Sequence, residues 1–179
     1  GGIAVYTIDK TEARQHELER ERLLSENQHQ KHLLERLLAE TPAGIAFTSG
    51  PDHRFVLVNP AYRYLARGKG ELLGRTVADV WTEAAAEMLP LLDRVYQGEM
   101  IHAQEMPFDV VRDGKKETIY ITFTYTPLQN DDGSIEGTLI LASEVTDQVQ
   151  SRRMVEAERA RLQAVFLHAP EGLVVTDPQ

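Results

Sequence analysis

The chain contains no cysteine. That excludes disulfides, thiolate metal sites, a cysteine nucleophile and any cofactor attached through sulfur. No apolar run approaches the ~20 residues that a membrane-spanning helix needs, and the first residues lack the pattern of a secretory signal. Basic residues are also in deficit: 19 Lys and Arg against 28 Asp and Glu leave a net charge of −9. Phosphate binding needs a basic face, so nucleic acid is not the expected partner. Catalytic signatures are missing too, with no H-E-x-x-H, no G-x-S-x-G and no phosphate-cradling glycine loop. Glu83, Glu87, Asp109 and Asp113 supply carboxylates without a spacing that defines a pair. These absences predict a chain that is not an enzyme, touches no membrane and works in the cytoplasm. The composition, 42% hydrophobic and 26% charged, is that of a globular protein.

What is present is a repeat. GGIAVYTIDKTEAR opens the chain with a strand-like stretch, Ile3–Ile8, followed by an acidic residue, any residue, threonine and a polar helix. GTLILASEVTDQVQ, residues 137–150, has the same order, so Asp9 corresponds to Glu144 and Thr11 to Thr146. TPAGIAFTS (41–49) likewise corresponds to APEGLVVTD (169–177). The helical stretch from Thr11 to Pro42 is one heptad longer than that from Thr146 to Pro170. A seven-residue change keeps an apolar seam on the same helix face within about 20°. The division expected is therefore 1–11 as the tail of one unit, 12–40 as a connector helix, 41–147 as a complete unit, 148–168 as a second connector and 169–179 as the start of another unit. Stripped of its sheet, Ile3–Ile8 should be disordered, drawn into the helix or paired with a neighbour.

Within the complete unit, GIAFTS and RFVLV read as short strands separated by SGPDH, which has turn chemistry. Asn59-Pro60 opens a helix with Asn59 as its N-cap. ELLGRTVADVW (71–81) reads as short helical pieces around a glycine, and Thr82 is placed to cap a longer helix ending at Gly98. Met88, Leu91, Leu92 and Val95 form that helix's apolar stripe, and Pro90 should bend or restart it. The period then changes to two: IHAQEMPFDVV and KETIYITFTYTPL flank Asp113-Gly114, a strong hairpin signal. Ile119, Ile121, Phe123 and Tyr125 face one way, and TLILAS forms the last strand. The order predicts an α+β fold, an antiparallel sheet covered on one face by helices.

VNPAYRYL, ELLGRTVADVW, DGK in the hairpin and the ending TP…DDGSIEGTLILASEVT, in this order over about 105 residues, resemble the PAS domains. IDKT resembles the D-x-T that closes such a domain, and APEGLVVTD the first strand of a following one. The resemblance implies a five-stranded antiparallel sheet with short helices on one face, flanked here by long coiled-coil connector helices. The chain departs from the family in carrying Glu144 where Asp is usual, which lengthens the carboxylate of the expected salt bridge at the domain exit. The family encloses a pocket, and alternation and stripes nominate Phe47, Val58, Tyr62, Trp81, Leu92, Phe108, Ile121, Phe123 and Leu139 as its lining.

Cofactor expectations follow from the same resemblance. A light-sensing flavin subtype carries its reactive cysteine where this chain has Val77. Haem in this family is held by a histidine on the long helix, and residues 82–98 contain none, while His53 falls in a turn and His102 at a strand start. Trp81 has the ring to stack on a non-covalent flavin, or to serve as core at a helix junction. No cofactor is therefore assigned, and a small-molecule ligand stays open. His29 and His32 share a helix face without a third metal ligand. His16-Glu17-Leu18 resembles the start of a kinase phosphoacceptor box but has Glu21 where such boxes carry proline.

Heptads counted back from Pro42 put Leu37, Leu34, Gln30, Asn27 and Leu23 on one seam; counted back from Pro170 they put Val165, Leu162, Glu158, Val155 and Ser151 there. A buried Asn such as Asn27 fixes register in parallel two-stranded coiled coils. The expected partner is a second copy of the chain, joined through parallel connectors, together with adjacent PAS or output domains of a sensor histidine kinase. Glu144, Thr146 and Asp147, between the last strand and the outgoing helix, are the expected relay residues.

Overall fold

The computed structural model describes the backbone of residues 2–167 and the side chains of residues 13–165. A long helix, α1 (Gly2–Glu40), leads in. Its first turns take in Ile3–Ile8, one of the three outcomes expected for that stretch. A lone strand leaves its backbone groups unpaired, whereas a helix satisfies them within the segment. The stretch 169–179 lies outside the described residues. Near Pro42, which disfavours helix in the residue before it, α1 ends: the N–H and Oγ1 of Thr41 both donate to the Leu37 carbonyl, at 3.2 and 2.6 Å.

The domain follows as β1 (Gly44–Ser49), β2 (Arg54–Val58), α2 (Pro60–Leu65), α3 (Val77–Val80), α4 (Ala85–Tyr96), β3 (Ile101–Arg112), β4 (Lys115–Gln129) and β5 (Ile135–Glu144), and α5 (Thr146–Leu167) leads out. The strands form one antiparallel sheet in the order β2-β1-β5-β4-β3. Asp113 and Gly114 both take positive φ, 50° and 75°, as the two-residue hairpin between β3 and β4 requires. Alternation decides which face is covered. Ala46, Thr48, Phe108, Val110, Ile119, Ile121, Phe123, Tyr125, Ile140 and Ala142 are buried beneath the helices. α4 begins later than expected: its N-cap is Ala84, with no side-chain hydrogen bond, while the Thr82 hydroxyl donates to Glu83 instead. The helix runs through Pro90, and Leu92 and Val95 face the core with Met88 and Leu91 packed beside them.

β1 and β5 approach so closely at Gly137 that a Cβ there would lie 1.9 Å from the Thr48 carbonyl oxygen. Only glycine fits without parting the strands. Gly137→Ala is expected to cost at least about 1–3 kcal/mol, the range for overpacking a tight site, read as a lowered urea midpoint; an unchanged midpoint would contradict this packing.

Candidate sensory cavity and helix joints

Between the inner face of the sheet and the helices lies a cavity of about 30 Å³. The helical side supplies Tyr62, Leu65, Trp81 and Met88, and the sheet supplies Phe108, Ile119, Ile121, Tyr125, Ile140 and Ala142. The Trp81 indole N–H donates to the Tyr62 hydroxyl at 3.3 Å. Burial pushes the Tyr62 phenol up to about 12, with the Trp81 hydrogen bond opposing it, and burial raises Tyr125 as well, with Tyr62 adding to the effect. Both phenols are therefore neutral at physiological pH. The lining is apolar and aromatic with a few hydroxyl and N–H handles, chemistry that suits a neutral organic molecule. Its volume is about that of one water in the liquid and roughly a tenth of the smallest typical ligand pocket. Occupancy would require Met88, an unbranched side chain that repacks easily, to move.

Four of the nine residues expected at the pocket line this cavity: Tyr62, Trp81, Phe108 and Ile121. Leu92 and Phe123 are core residues outside its lining, and Val58 packs against the core's edge. Phe47 and Leu139 are corrections. They pair with each other on the opposite face of the sheet from the alternating buried residues Gly44, Ala46 and Thr48 on β1 and Thr138, Ile140 and Ala142 on β5. Leu65, Met88, Ile119, Tyr125, Ile140 and Ala142 were missed. Ile119 and Tyr125 were legible, since they share the alternation of Ile121 and Phe123. Trp81 is 3% exposed, with the Lys69 ammonium 5.3 Å from its ring centroid, a core position at a helix junction.

The incoming helix is fastened to the domain by Asn59. This side chain is buried and uses its full capacity of two accepted and two donated bonds. Its Oδ1 accepts from the backbone N–H groups of Ile45 and Tyr62, both at 2.8 Å. Its Nδ2 donates to the carbonyls of Leu38, in the last turn of α1, at 3.1 Å and of Ala43 at 2.9 Å. One amide thus ties together the end of α1, the start of β1 and the first turn of α2.

The outgoing helix is fastened by Arg112. Its side chain is 1% exposed, and its guanidinium forks onto Glu144 at 2.7 and 3.0 Å while Nε donates to Glu117 at 2.5 Å. Glu144 therefore makes the salt bridge at the domain exit despite its extra methylene. Burial by itself would lower the Arg112 affinity for its proton, but the hydrogen bonds to Glu144 and Glu117 raise it; the same bonds hold both carboxylates below their ordinary range. Thr146 does not cap α5 from within. Its Oγ1 accepts from the Tyr120 N–H and donates to Glu144, both at 3.0 Å, which pins the first residue of α5 to β4. Asp147 is exposed in the first turn. Further along, Arg152 forks onto Glu105 at 2.6 and 2.8 Å, and the Arg153 guanidinium sits 4.8 Å from the Tyr120 ring centroid. Glu105 belongs to a β3 bulge and has φ 52°, a left-handed conformation uncommon for a residue with a side chain.

The seam residues Asn27, Leu34, Leu37, Val155, Leu162 and Val165 are all exposed on α1 and α5. His53, in the turn between β1 and β2, is buried and bonded through Nε2 to Asp93 at 2.9 Å. Lys69 pairs with Glu83, which also accepts from the Val111 N–H at 2.6 Å; burial works against the Glu83 charge, but these donors bring its pKa down to about 2. Among the described residues no three His, Cys, Asp or Glu side chains gather as metal ligands, and no helix is long and apolar enough to cross a membrane.

A small cavity between a sheet and short helices, with a long helix fastened at each end, defines a sensory module. The family model of the PAS fold matches residues 38–150, and the chain belongs to that family. Similar solved structures include an RNA-binding light-oxygen-voltage receptor, with TM-score 0.56 and 19% identity over 73% of this chain and 37% of that one. The PAS domain of Bordetella pertussis BvgS gives 0.51 and 20% over 74% of this chain and 98% of that one. VqmA bound to DPO gives 0.50 and 24% over 65% of this chain and 56% of that one. At these identities the likeness is one of fold. The chain spans little more than a third of the light-oxygen-voltage receptor and just over half of VqmA.

The joint at Arg112 yields a pH prediction. A carboxylate held below its unfolded value of about 4.3 contributes stability above that pH and loses it as pH falls through the folded value. Thermal midpoints should therefore drop from pH 5 towards pH 2, with Glu83 losing its share last, near its folded value of about 2. Glu144→Gln should lower stability at pH 7 by about 1–3 kcal/mol, the cost of leaving a buried donor short of a charged partner, and should flatten the acid slope. An acid slope identical to that of the unaltered protein would contradict the assignment.

Proposed function

We propose that this chain is the sensory and relay module of a multidomain signal-transduction protein of the histidine-kinase type, acting in the cytoplasm as a parallel homodimer. The observation that carries the reading is the pairing of exposed apolar residues along α1 and α5 with buried joints at the ends that meet the domain. Leu34 and Leu37 are each 58% exposed, and Val155 and Val165 are 69% and 63% exposed. A helix with apolar residues in solvent at heptad spacing is best served by a partner helix. A second copy supplies one in register, placing Asn27 against Asn27 and the leucines against one another. The kinase setting, and the division into flanking units at 1–11 and 169–179, rest on the family resemblance and the internal repeat.

In this reading a change in the sheet or cavity shifts the angle of α5 through Glu144 and Thr146, and the paired helices carry the shift onward. Inserting one to three residues within 148–165, in a protein carrying the module and its output domain, should invert or abolish output. Inserting seven should largely preserve it, because a heptad restores the seam. Equal output from all insertions would contradict the relay.

A second reading is favoured by the cavity: a receptor for a neutral organic molecule held by the Tyr62 and Tyr125 hydroxyls. VqmA, a neighbour in fold, is described bound to DPO. Native mass spectrometry of the purified chain distinguishes the two, since added mass supports the receptor. Light scattering tests the dimer. The chain should run at twice its own mass and Leu34→Ala/Leu37→Ala at its single mass; a monomeric unaltered chain would refute the pairing.

A further inference from the structure

Resting on the relay reading, we propose that α2 is a strut that couples the incoming helix to the outgoing one directly, without a ligand in the cavity. Both joints are reached from the segment that carries this short helix. At its N-terminal end, Asn59 caps α2 through the Tyr62 N–H and holds the Leu38 carbonyl of α1. At its C-terminal end the chain docks on the β3–β4 hairpin, whose strands carry Arg112 and Glu117. Gly68, at φ 81°, lies so close that a Cβ there would be 2.4 Å from the Asp113 nitrogen. Arg67, fixed over the Tyr64 ring at 4.8 Å, reaches Asp113 at 3.7 Å and Glu117 at 3.9 Å.

The contacts therefore run without a gap from α1 through Asn59, α2 and Arg67 to Glu117, Arg112, Glu144 and Thr146. Asn59 has no spare bonding capacity and so transmits a shift of the Leu38 carbonyl to α2 instead of absorbing it. α2 is only six residues long, a rigid span of roughly 9 Å. At its far end, a tilt changes how far Glu117 is drawn from Arg112 towards Arg67. The guanidinium then redistributes between its two carboxylates, and the one it holds more loosely or tightly is the root of α5. Tyr62 sits on the same helix, so a cavity ligand would act on the same strut. A ligand is a modulator here and not a requirement.

The test is amide hydrogen exchange at Val145 and Val149, whose N–H groups bond to Tyr120 and Val145 carbonyls at 2.8 and 3.0 Å and report the root of α5. Asn59→Ser and Arg67→Met should each speed exchange there by roughly 2- to 30-fold, the range of coupling between linked sites. The Gly98 amide, bonded to the Val95 carbonyl at the end of α4 and away from this route, should stay unchanged. The double variant should gain less than the product of the two effects, because both cut one route, and Arg67→Lys should restore most of the protection. If Asn59→Ser does not fold, Arg67→Met and Arg67→Lys carry the test. Unchanged exchange at Val145 and Val149, equal acceleration at Gly98, or effects that simply multiply would each overturn the strut. Light scattering on the same samples keeps the outcomes separate: a dimer with no such coupling refutes the strut alone.

Discussion

The guanidinium of Arg112 is the constraint around which the domain exit is arranged. A buried cation is tolerated only when its donors are all met by opposite charge, since desolvation costs several kcal/mol that only well-placed partners repay. Arg112 stands on the inner face of β3, so its partners must come to it. Glu117 comes from the neighbouring strand, and Glu144 from the end of β5, two residues beyond the core residue Ala142. With Glu144 held, Val145 and Thr146 are bonded to Tyr120 on β4. The root of α5 is thus held by an ion pair inside the domain. Val149 is buried beside this joint, and Arg152 and Arg153 add contacts to Glu105 and Tyr120 further along the helix.

The cavity looks different in that light. It is too small for a flavin or haem as it stands, and its hydroxyls are spoken for in part by the Trp81–Tyr62 bond. Its walls nonetheless include Tyr62 on α2 and Ile121 and Tyr125 on β4, elements that also carry the two joints. Filling it and moving α1 would press on the same parts. In the relay proposed for this chain, sensing and relaying are two ways of loading one mechanical element.

Much of this was legible in residues and some was not. The Asp113-Gly114 hairpin, the Asn59-Pro60 helix start and the alternation from Ile119 to Tyr125 each have a local physical cause, and each stands where its cause puts it. The failures occurred where local chemistry is silent. In TLILA every residue is apolar, so no alternation tells Leu139 from Ile140, and a slip of one residue moves the whole set to the other face. Phe47 in GIAFT erred for the same reason. Ile3–Ile8 was open to three outcomes, and the neighbouring helix draws it in. The reach of Glu144 depended on where Arg112 lies, a distance across three strands that no spacing reveals. The Asn59 amide was recognised as a cap, but its second role, holding the Leu38 carbonyl, exists only once α1 is folded back to meet it.

The most direct test of the account is whether the buried ion pair orients the outgoing helix. Since the chain has no cysteine, single spin labels can be placed at Gln129→Cys on β4 and Glu156→Cys on α5, with labelled chains diluted in unlabelled ones. The distance distribution between them should be narrow with Arg112 present, and should broaden or shift in Arg112→Met while circular dichroism shows the sheet still folded. Superimposable distributions would contradict the claim that Arg112 sets the course of α5.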